Sequence, residues 1–416
     1  MKKIILNSTV ALSLSIPLFL LSCNKEQEEV VPVDPVPISL TTNQVSLITS
    51  ENSFAFDIFR KVLENTDESK NVIISPLSIS YALSMTLNGA NGSTRDSMLK
   101  ALRVSGITPD EINDSYKNLT EALLSVDKRI HITIANSVWT KDDFEVKKSF
   151  IDILTNYYDA DSKRFNPEDP AAPGLINGWI EDNTNGLIKN MIDKIEDNTV
   201  MLLINAIYFK GKWNSQFEKS KTVEESFHTS SGTSVEVPMM KQSSDFKVYD
   251  GDGFVLAEIP YGQGNFVMDI ILPDEVNSIN SLIPAVTDAA FTGWIGEMRN
   301  IKVDLSFPRF KYGYKEEMKK TLSAMGMEIA FTDQADFSNI NASYPLTITK
   351  VLHQAFIETN EEGTEAAAAT VVVIGTTSAN PTNFVLTLDH PFLYIIRETS
   401  TNSVLFMGRV TNPLSE

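Results

Sequence analysis

Residues 361–381 read EEGTEAAAATVVVIGTTSANP and lie between two predicted strands, over 346–357 and 384–388. About twenty residues without a packed element is too long for a routine connection. The four alanines favour helix, whereas residues 371–374 favour strand. With a period of two, one face carries only small or medium side chains, those of Thr364, Ala366, Ala368, Thr370 and Val372. The stretch therefore fits a strand that can enter a crowded sheet, and it fits a mobile, alanine-rich surface loop equally well.

The composition is that of a globular protein with enough residues to bury a sizeable core: 416 residues, 42% hydrophobic and 21% charged. The net charge of −19 argues against nucleic-acid binding, because polyanions are held by clustered Lys and Arg. Four histidines and one cysteine exclude a disulfide framework and leave little for zinc.

The N-terminus is typical of a targeting segment. Lys2 and Lys3 precede a mostly apolar run over 4–21 that Pro17 interrupts, which favours a secretory leader over a permanent membrane span. Leu-Leu-Ser-Cys23 resembles the lipobox of bacterial lipoproteins, and a buried free thiol at Cys23 is the alternative. We therefore expect a signal peptide over 1–22, a lipidated tether over 23–48 and one folded domain over 49–416. The expected location is the bacterial cell envelope, lipid-anchored, at the outer membrane or cell surface.

The remaining sequence predicts an α+β domain, with helices mainly in its first half and strands mainly in its second. Ser75-Pro76 is an N-cap followed by proline and opens a predicted helix through Leu87. Ser93 and Asp96 have the spacing of a capping box for the next helix. A half-buried strand is predicted over 129–135 and a strand buried on both faces over 200–209. Further predicted strands cover 255–259, 266–272, 303–307, 346–357, 384–388, 392–396 and 404–410.

Searches for enzymatic motifs find no support for catalysis. The sequence contains neither Gly-x-Ser-x-Gly nor His-Glu-x-x-His, and Lys210-Gly-Lys-Trp213 lacks the remaining residues of a phosphate-binding loop. The histidines stand far apart without ligand spacing, so metal binding is disfavoured; they are His131, His228, His353 and His390. We expect no cofactor and no enzymatic activity.

Several motifs, taken in order, resemble the serpins, the serine-protease-inhibitor superfamily. They cover almost the whole chain from about Asn52 to Pro413. The matching segments are NVIISPLSIS at 71–80, NAIYFKGKW at 205–213, PMM at 238–240, PY at 260–261, EEGTEAAAAT at 361–370, DHPF at 389–392 and FMGRV at 406–410. The resemblance implies the serpin fold: a large mixed β-sheet and smaller sheets surrounded by helices, with an exposed reactive-centre loop.

The resemblance also implies a mechanism in which a protease acylates the loop and the cut loop then inserts into the large sheet. Counting from Gly363 places the scissile bond at Thr377–Ser378, and Thr376 is the neighbouring alternative for the residue before the bond. Glu361 and Arg309 match an ion pair at the top of the sheet. The implied hinge comprises Glu361, Glu362, Gly363, Thr364, Glu365, Ala366, Ala367, Ala368, Ala369 and Thr370. The implied "shutter" lies beneath the point where the sheet opens and comprises Ser75, Ser78, Asn205 and His353. The implied "breach" is the loop's entry point, and its residue is Trp213.

The composition of the loop limits the proteases that it can attract. Between Glu365 and Asn383 it has no Lys, Arg, Phe, Tyr, Trp or Leu, which favours elastase-like or subtilisin-like serine proteases, with papain-like cysteine proteases second. Thr377 would occupy the specificity pocket, or Val373 in a shifted register. Lys117 is the only cation over 109–125, so a heparin-type cofactor is not expected; the expected partners of this monomer are a target protease and a membrane. The alternatives are a non-inhibitory serpin that acts as a carrier or chaperone, and a lipid-anchored hydrolase.

Overall fold

Helices dominate the first half of the chain in the computed structural model, which describes residues 35–276, 278–364 and 383–415. The predicted signal peptide, Cys23, the hinge residues from Glu365 onward and the scissile pair lie outside these residues. The first six helices are α1 Thr42–Asn65, α2 Pro76–Leu87, α3 Gly92–Ala101, α4 Pro109–Ser125, α5 Lys148–Tyr158 and α6 Ala172–Asn183. The later ones are α7 Ile279–Leu282, α8 Asp288–Glu297 and α9 Lys319–Leu322.

Two of the predicted helix starts have opposite outcomes. Ser75 caps α2 by accepting a hydrogen bond from the Ser78 amide, so the predicted helix through Leu87 is confirmed. The capping box at Ser93 and Asp96 is wrong, because α3 begins at Gly92 with Asn91 as its N-cap, two residues before Ser93. The Asn91 side chain makes no cap bond; it lies 3.5 Å from Ser338 Oγ, on a neighbouring loop.

The chain is already tied to the domain before α1 begins. Asn265 Nδ2 donates to the Val36 carbonyl at 2.8 Å, and the Ile38 amide donates to Ser400 Oγ at 2.9 Å. Thr41 and Gln44 then form a capping box that starts α1 at Thr42. The helix therefore begins within residues 23–48, the stretch that the sequence suggests as a tether.

The strands in the first two thirds of the chain are β1 Val72–Ile74, β2 Ile130–Lys141, β3 Asp161–Phe165, β4 Met201–Lys212, β5 Val223–His228, β6 Ser234–Asp250, β7 Phe254–Tyr261 and β8 Phe266–Pro273. Those that follow are β9 Arg299–Pro308, β10 Phe310–Glu317, β11 Leu352–Asn360, β12 Gly363–Thr364, β13 Phe384–Thr387, β14 Phe392–Glu398 and β15 Val404–Val410. The predicted strand over 346–357 begins too early. Residues 346–351 have no ladder partner, and before them the Tyr344 side chain is 61% exposed, next to Pro345.

The described strands form two sheets. The six-stranded sheet has the order β10-β11-β12-β4-β2-β3 and is antiparallel except for the β2–β3 pair. The nine-stranded sheet has the order β1-β15-β14-β8-β7-β6-β9-β13, with β5 paired to β6. These mixed sheets surrounded by helices confirm the predicted α+β class.

The hydrophobic core has a large part and a small part. Phe209 and Ile207 of β4 belong to the large cluster, whereas Ile204 belongs to a second cluster with Ile176 and Ile180 of α6. β4 is therefore covered on both faces, as its nearly continuous apolar sequence predicts. Within the described residues, no helix combines the length and the apolar character needed to cross a membrane.

Candidate functional site

The described part of the predicted hinge, residues 361–364, enters the six-stranded sheet between β4 and β11. Gly363 lies opposite Lys212 of β4 and Asn360 of β11, and Thr364 lies opposite Gly211 and Thr359. Gly363 has a φ of +151°, and a Cβ built on it would lie 2.0 Å from the Gly211 carbonyl oxygen. Only glycine fits this conformation and this close approach. The sequence places glycine where the chain turns into the sheet.

Below β12 the two neighbouring strands are separated. Among the described residues, β4 and β11 do not pair with each other, so residues 201–210 and 352–358 face each other across a gap that we call the slot. A cavity of about 600 Å³ lies at the lower end of the slot, against α2. A second cavity of about 20 Å³ lies directly beside Thr364 and is lined by Ile207, Phe209 and Ile357. Among the strands that the structure describes, none fills the slot, which has the place and the direction of a central strand.

Three of the four predicted shutter residues form one hydrogen-bonded group. The Ser75 amide donates to His353 Nε2 at 3.0 Å, Ser75 Oγ donates to the Leu405 carbonyl at 2.8 Å, and the Ser78 amide donates to Ser75 Oγ. His353 is buried, and burial lowers its pKa from 6.5 to about 4. The imidazole is therefore neutral at physiological pH, with Nε2 as an acceptor.

Asn205 lies on the other side of the slot. Its Nδ2 donates to Asn136 Oδ1 at 2.7 Å, and Asn136 Nδ2 in turn donates to the Tyr158 carbonyl at 2.7 Å. Asn205 Oδ1 is buried and has no hydrogen-bond partner among the described residues. Ser78, Asn205 and His353 all line the large cavity. The structure thus brings the four predicted residues to the lower end of the slot, with one unsatisfied acceptor.

Trp213 lies at the upper end of the slot, where the sequence places the breach. Its ring stacks on Tyr261 with centroids 4.3 Å apart, and its Nε1 donates to the Asn360 carbonyl at 2.9 Å. The Tyr261 hydroxyl lies 2.6 Å from Thr364 Oγ1. The breach residue therefore contacts the strand on one side of the hinge and supports the tyrosine that holds Thr364.

The predicted pair of Glu361 and Arg309 is formed. Both Nε and Nη2 of Arg309 donate to Glu361 Oε1, and Thr222 Oγ1 donates to the same oxygen at 2.5 Å. Glu361 is 2% exposed. Burial raises the pKa of its carboxyl, but the hydrogen bonds from Arg309 and Thr222 outweigh burial and lower it below its usual value. The glutamate is therefore ionised and fixed at the point where the chain turns.

Some residues of this site were not predicted from the sequence. Asn136, Thr222 and Lys219 each contact a predicted residue from a segment without a recognisable motif. Tyr261 stands in a motif that carries the family resemblance, which is a signal that could have found it. In the described ranges, no group of three or more His, Cys, Asp or Glu side chains could hold a metal ion.

Comparisons with known proteins agree with this geometry. The family model described as Serpin (serine protease inhibitor) matches residues 49–413. Serpin B4 of Homo sapiens is 34% identical over 391 residues, covering 88% of this chain and 100% of that protein. The native state of the thermophilic serpin tengpin superposes with a TM-score of 0.81 at 33% identity, covering 91% of this chain and 97% of that one. Human thyroxine-binding globulin complexed with thyroxine has a TM-score of 0.83 at 27% identity, covering 90% and 100%.

Proposed function

Because this chain belongs to the serpin family, we propose that it is a single-use covalent inhibitor of elastase-like or subtilisin-like serine proteases. Serpins are protease inhibitors rather than catalysts and generally bind target proteases. The finer proposal is that cleavage at Thr377–Ser378 releases the hinge, which then fills the slot. Papain-like cysteine proteases are a second class of target.

The observation that carries this proposal is the pairing of β12 with a strand on each side, at the top of the slot. If the same register continues downward, Ala366 comes opposite Phe209 of β4 and Ile357 of β11. Four residues further on, Thr370 comes opposite both Asn205 and His353. A threonine hydroxyl there offers a donor to Asn205 Oδ1, which is buried without a partner among the described residues.

The space available on the core-facing side of the slot supports the same register. The cavity of about 20 Å³ beside Thr364 has room for about one water molecule or a methyl group. Ala366 would place one methyl group there, between Phe209 and Ile357. A larger side chain would have to push the two strands apart, and overpacking a core costs about 1–3 kcal/mol. Small side chains on this face therefore let the strand enter without a steric barrier.

The proposed chemistry starts as ordinary proteolysis. The protease serine Oγ attacks the Thr377 carbonyl carbon, the Thr377–Ser378 C–N bond breaks, and Ser378 leaves as a free amine. Thr377 then remains bound to the protease through an ester. Insertion from Thr364 to Thr377 spans about 45 Å at about 3.3 Å per residue. Pulling on the ester displaces it from the oxyanion hole, whose donors contribute roughly 3–4 kcal/mol each, so deacylation stalls.

The loop sequence determines which proteases start this reaction. No Lys or Arg occurs between Glu365 and Asn383, so a specificity pocket with a buried carboxylate finds no cation to pair. No aromatic residue or leucine is present either, which disfavours large apolar pockets. A small pocket accepts Thr377. The proposed targets are therefore proteases that cleave after small residues.

We also propose that Cys23 carries the lipid that anchors the protein in the bacterial cell envelope, at the outer membrane or cell surface. The support is Leu-Leu-Ser-Cys23 after a basic, apolar leader. Several acyl chains, each contributing about 0.8 kcal/mol per buried CH₂, suffice for stable binding. Metabolic labelling with a palmitate analogue tests this directly: wild type should be labelled and Cys23→Ser should not.

The proposed inhibition is tested with pancreatic elastase and, as the comparison protease, trypsin. We expect an SDS-resistant complex with elastase at near one-to-one stoichiometry and none with trypsin. Nicked protein should also melt more than about 10 °C above intact protein, because a new central strand adds two ladders. Cleavage by elastase without a complex and without a rise in Tm would overturn the proposal. That result would favour a carrier function, since the thyroxine-binding globulin structure has a similar fold with a bound small molecule.

A further inference from the structure

Two consecutive buried glutamates stand at the start of the hinge. Glu361 is 2% exposed and Glu362 is 5% exposed. Glu362 Oε1 accepts a hydrogen bond from Lys219 Nζ at 2.7 Å, and its Oε2 is buried without a partner among the described residues. A buried carboxylate is strongly unfavourable unless it is paired, so the ion pair with Lys219 is what stabilises Glu362 in its buried position.

The two carboxylates are held by different parts of the chain. Glu361 is bound by Arg309, at the junction of β9 and β10, whereas Glu362 is bound by Lys219, in the connection between β4 and β5. Lys219 is 55% exposed in its side chain, so it reaches inward from the surface. Two cations from separate segments therefore fix the chain just before Gly363.

The connection between β4 and β5 also binds the hinge through the main chain. The Trp213 amide donates to the Glu362 carbonyl and the Phe217 amide donates to the Glu361 carbonyl, each at 2.9 Å. With Thr222 and Lys219, this segment makes four contacts with the two glutamates. Residues 213–222 thus form a cradle for the hinge. Within this cradle, the ammonium group of Lys219 pairs with Glu362.

We propose that Lys219 is a positioning residue for loop insertion: by pairing with Glu362 it holds Gly363 and Thr364 in register at the top of the slot. This inference rests on the proposed inhibitory function. Without Lys219, the unpaired carboxylate of Glu362 gains hydration by moving outward. The movement pulls Gly363 and Thr364 off β4 and β11, so insertion has to begin from an unpaired hinge.

Under this proposal, Lys219 affects which of two outcomes follows acylation of the loop. The acyl-enzyme either inserts its loop, which traps the protease, or is hydrolysed, which consumes the inhibitor without result. A slower start to insertion favours hydrolysis and leaves acylation unchanged, because the scissile bond lies fourteen residues beyond Gly363. The readout is therefore the number of inhibitor molecules consumed per protease molecule trapped, measured beside the rate of loop cleavage.

The experiment compares Lys219→Gln with Lys221→Gln, using full-length protein and pancreatic elastase. Lys221 is a matched control, since it lies on the same turn and pairs with exposed Glu218. We expect that about threefold or more K219Q molecules are consumed per elastase molecule trapped than with wild type, at an unchanged rate of loop cleavage. K221Q should behave as wild type. Lys219→Arg and the double variant K219Q/E362Q should restore trapping, because one keeps the cation and the other removes the carboxylate that needs it.

A measurement without protease separates this inference from the proposed function. In a double-mutant cycle on the uncleaved protein, Lys219 and Glu362 should show coupling in the unfolding midpoint, and Lys221 and Glu362 should show none. If wild type forms no complex with elastase, the proposed function fails, and so does the role of Lys219 in trapping. If wild type traps elastase but K219Q and K221Q consume equal amounts, or if the double variant traps no better than K219Q, only the inference about Lys219 is overturned.

Discussion

The two sheets of the molecule differ in how their central strands are joined. In the nine-stranded sheet, β15, β14, β8 and β7 pair along their lengths, with one register shift between Ile396 and Arg397 where β14 pairs with β15. In the six-stranded sheet, within the residues that the structure describes, β4 and β11 are joined only through the two residues of β12 at the top of the slot. One sheet is complete, whereas the other has backbone edges that a further strand would satisfy. We infer that the capacity for a large rearrangement resides in the six-stranded sheet alone.

The buried polar groups of the two sheets differ in the same way. In the nine-stranded sheet, Arg397 is 2% exposed and is bound by Asp269, Glu258 and Asn402 at 2.7–3.0 Å. Such a cluster resists change, because breaking one buried pair costs about 3–5 kcal/mol. At the slot, the group around His353 is neutral, and Asn205 retains an unused acceptor among the described residues. A neutral, incompletely bonded group is easier to rearrange.

The largest effect that tests this comparison is expected from Ala366→Arg. In the projected register, Ala366 faces the core between Phe209 and Ile357, where an unpaired charge cannot be buried at an acceptable cost. Elastase should cleave this variant at a normal rate, and at least about tenfold less SDS-resistant complex should form than with wild type. Glu365→Arg is the control, since it places the same side chain on the opposite, outer face. Equal loss in both variants would contradict the register, and undiminished trapping by A366R would show that the slot is not the destination of the loop.

His353 provides a prediction of intermediate size, in pH dependence. Its pKa is lowered from 6.5 to about 4, so its neutral form stabilises the fold fully above pH 6.5, and this contribution is lost as the pH falls towards 4. The loss amounts to about 3 kcal/mol at most, at about 1.4 kcal/mol per pKa unit. Urea unfolding of wild type and His353→Gln from pH 7.5 to 4 measures it, and the variant should lose less stability on acidification.

Glu51 acts in the opposite direction and must be controlled. Burial raises its pKa to about 7, so its contribution is present at low pH and is lost as the pH rises towards 7. Both proteins contain Glu51, and the difference between their pH profiles removes its effect. Parallel profiles for wild type and H353Q would mean that protonation of His353 does not weaken the group at the slot.

The sequence predicted the complete sheet better in some elements than in others. The strand predicted over 404–410 is found at β15 with the same limits, because it is buried throughout and mostly apolar, with Arg409 as its one charged residue. The seventeen residues of β6 were missed as one strand, since this element pairs in turn with β5, β9 and β7 and shows no constant alternation. Partners that are distant in sequence determine such a strand, and local periodicity cannot reveal them.

For the site, short motifs identified residues that the structure brings together, whereas they did not identify the partners of these residues. Ser75, His353 and Trp213 were assigned to the sheet opening from short matching segments, and they surround the slot. Asn136 and Lys219 act through contacts with residues 69 and 143 positions away in the chain, respectively. The sequence alone does not state such distances. The motifs indicated which residues surround the slot, but they did not indicate the contacts that Asn136 and Lys219 make at its lower and upper ends.

The smallest effect that we predict concerns α6, the helix that covers the outer face of the six-stranded sheet. Outside the backbone of α6 itself, no atom of the described residues lies within 4 Å of an ideal Cβ at Gly178, so Gly178→Ala meets no steric obstacle. Alanine should stabilise the helix by about 0.5–1 kcal/mol. Ile176 and Ile180 share a hydrophobic cluster with Ile204 of β4. We therefore expect α6 to shift when side chains of an inserted strand reach this face. A more stable α6 should slow insertion by at most about fivefold, which stopped-flow mixing with elastase and the consumption of inhibitor would both detect.

Gly293→Ala is the matched control, because Gly293 lies in α8, beside the nine-stranded sheet. Outside the backbone of α8, it also has no described atom within 4 Å of an ideal Cβ. It should raise the unfolding midpoint by a similar amount and leave insertion unchanged. If G293A slowed trapping as much as G178A, general stability rather than the cover over the slot would limit the rate. The difference in strand pairing between the two sheets would then still hold, but it would not determine the rate of trapping. If only G178A slowed trapping, α6 on the outer face of the six-stranded sheet would be the element that resists insertion. The two variants carry the same substitution and differ mainly in which sheet their helix covers.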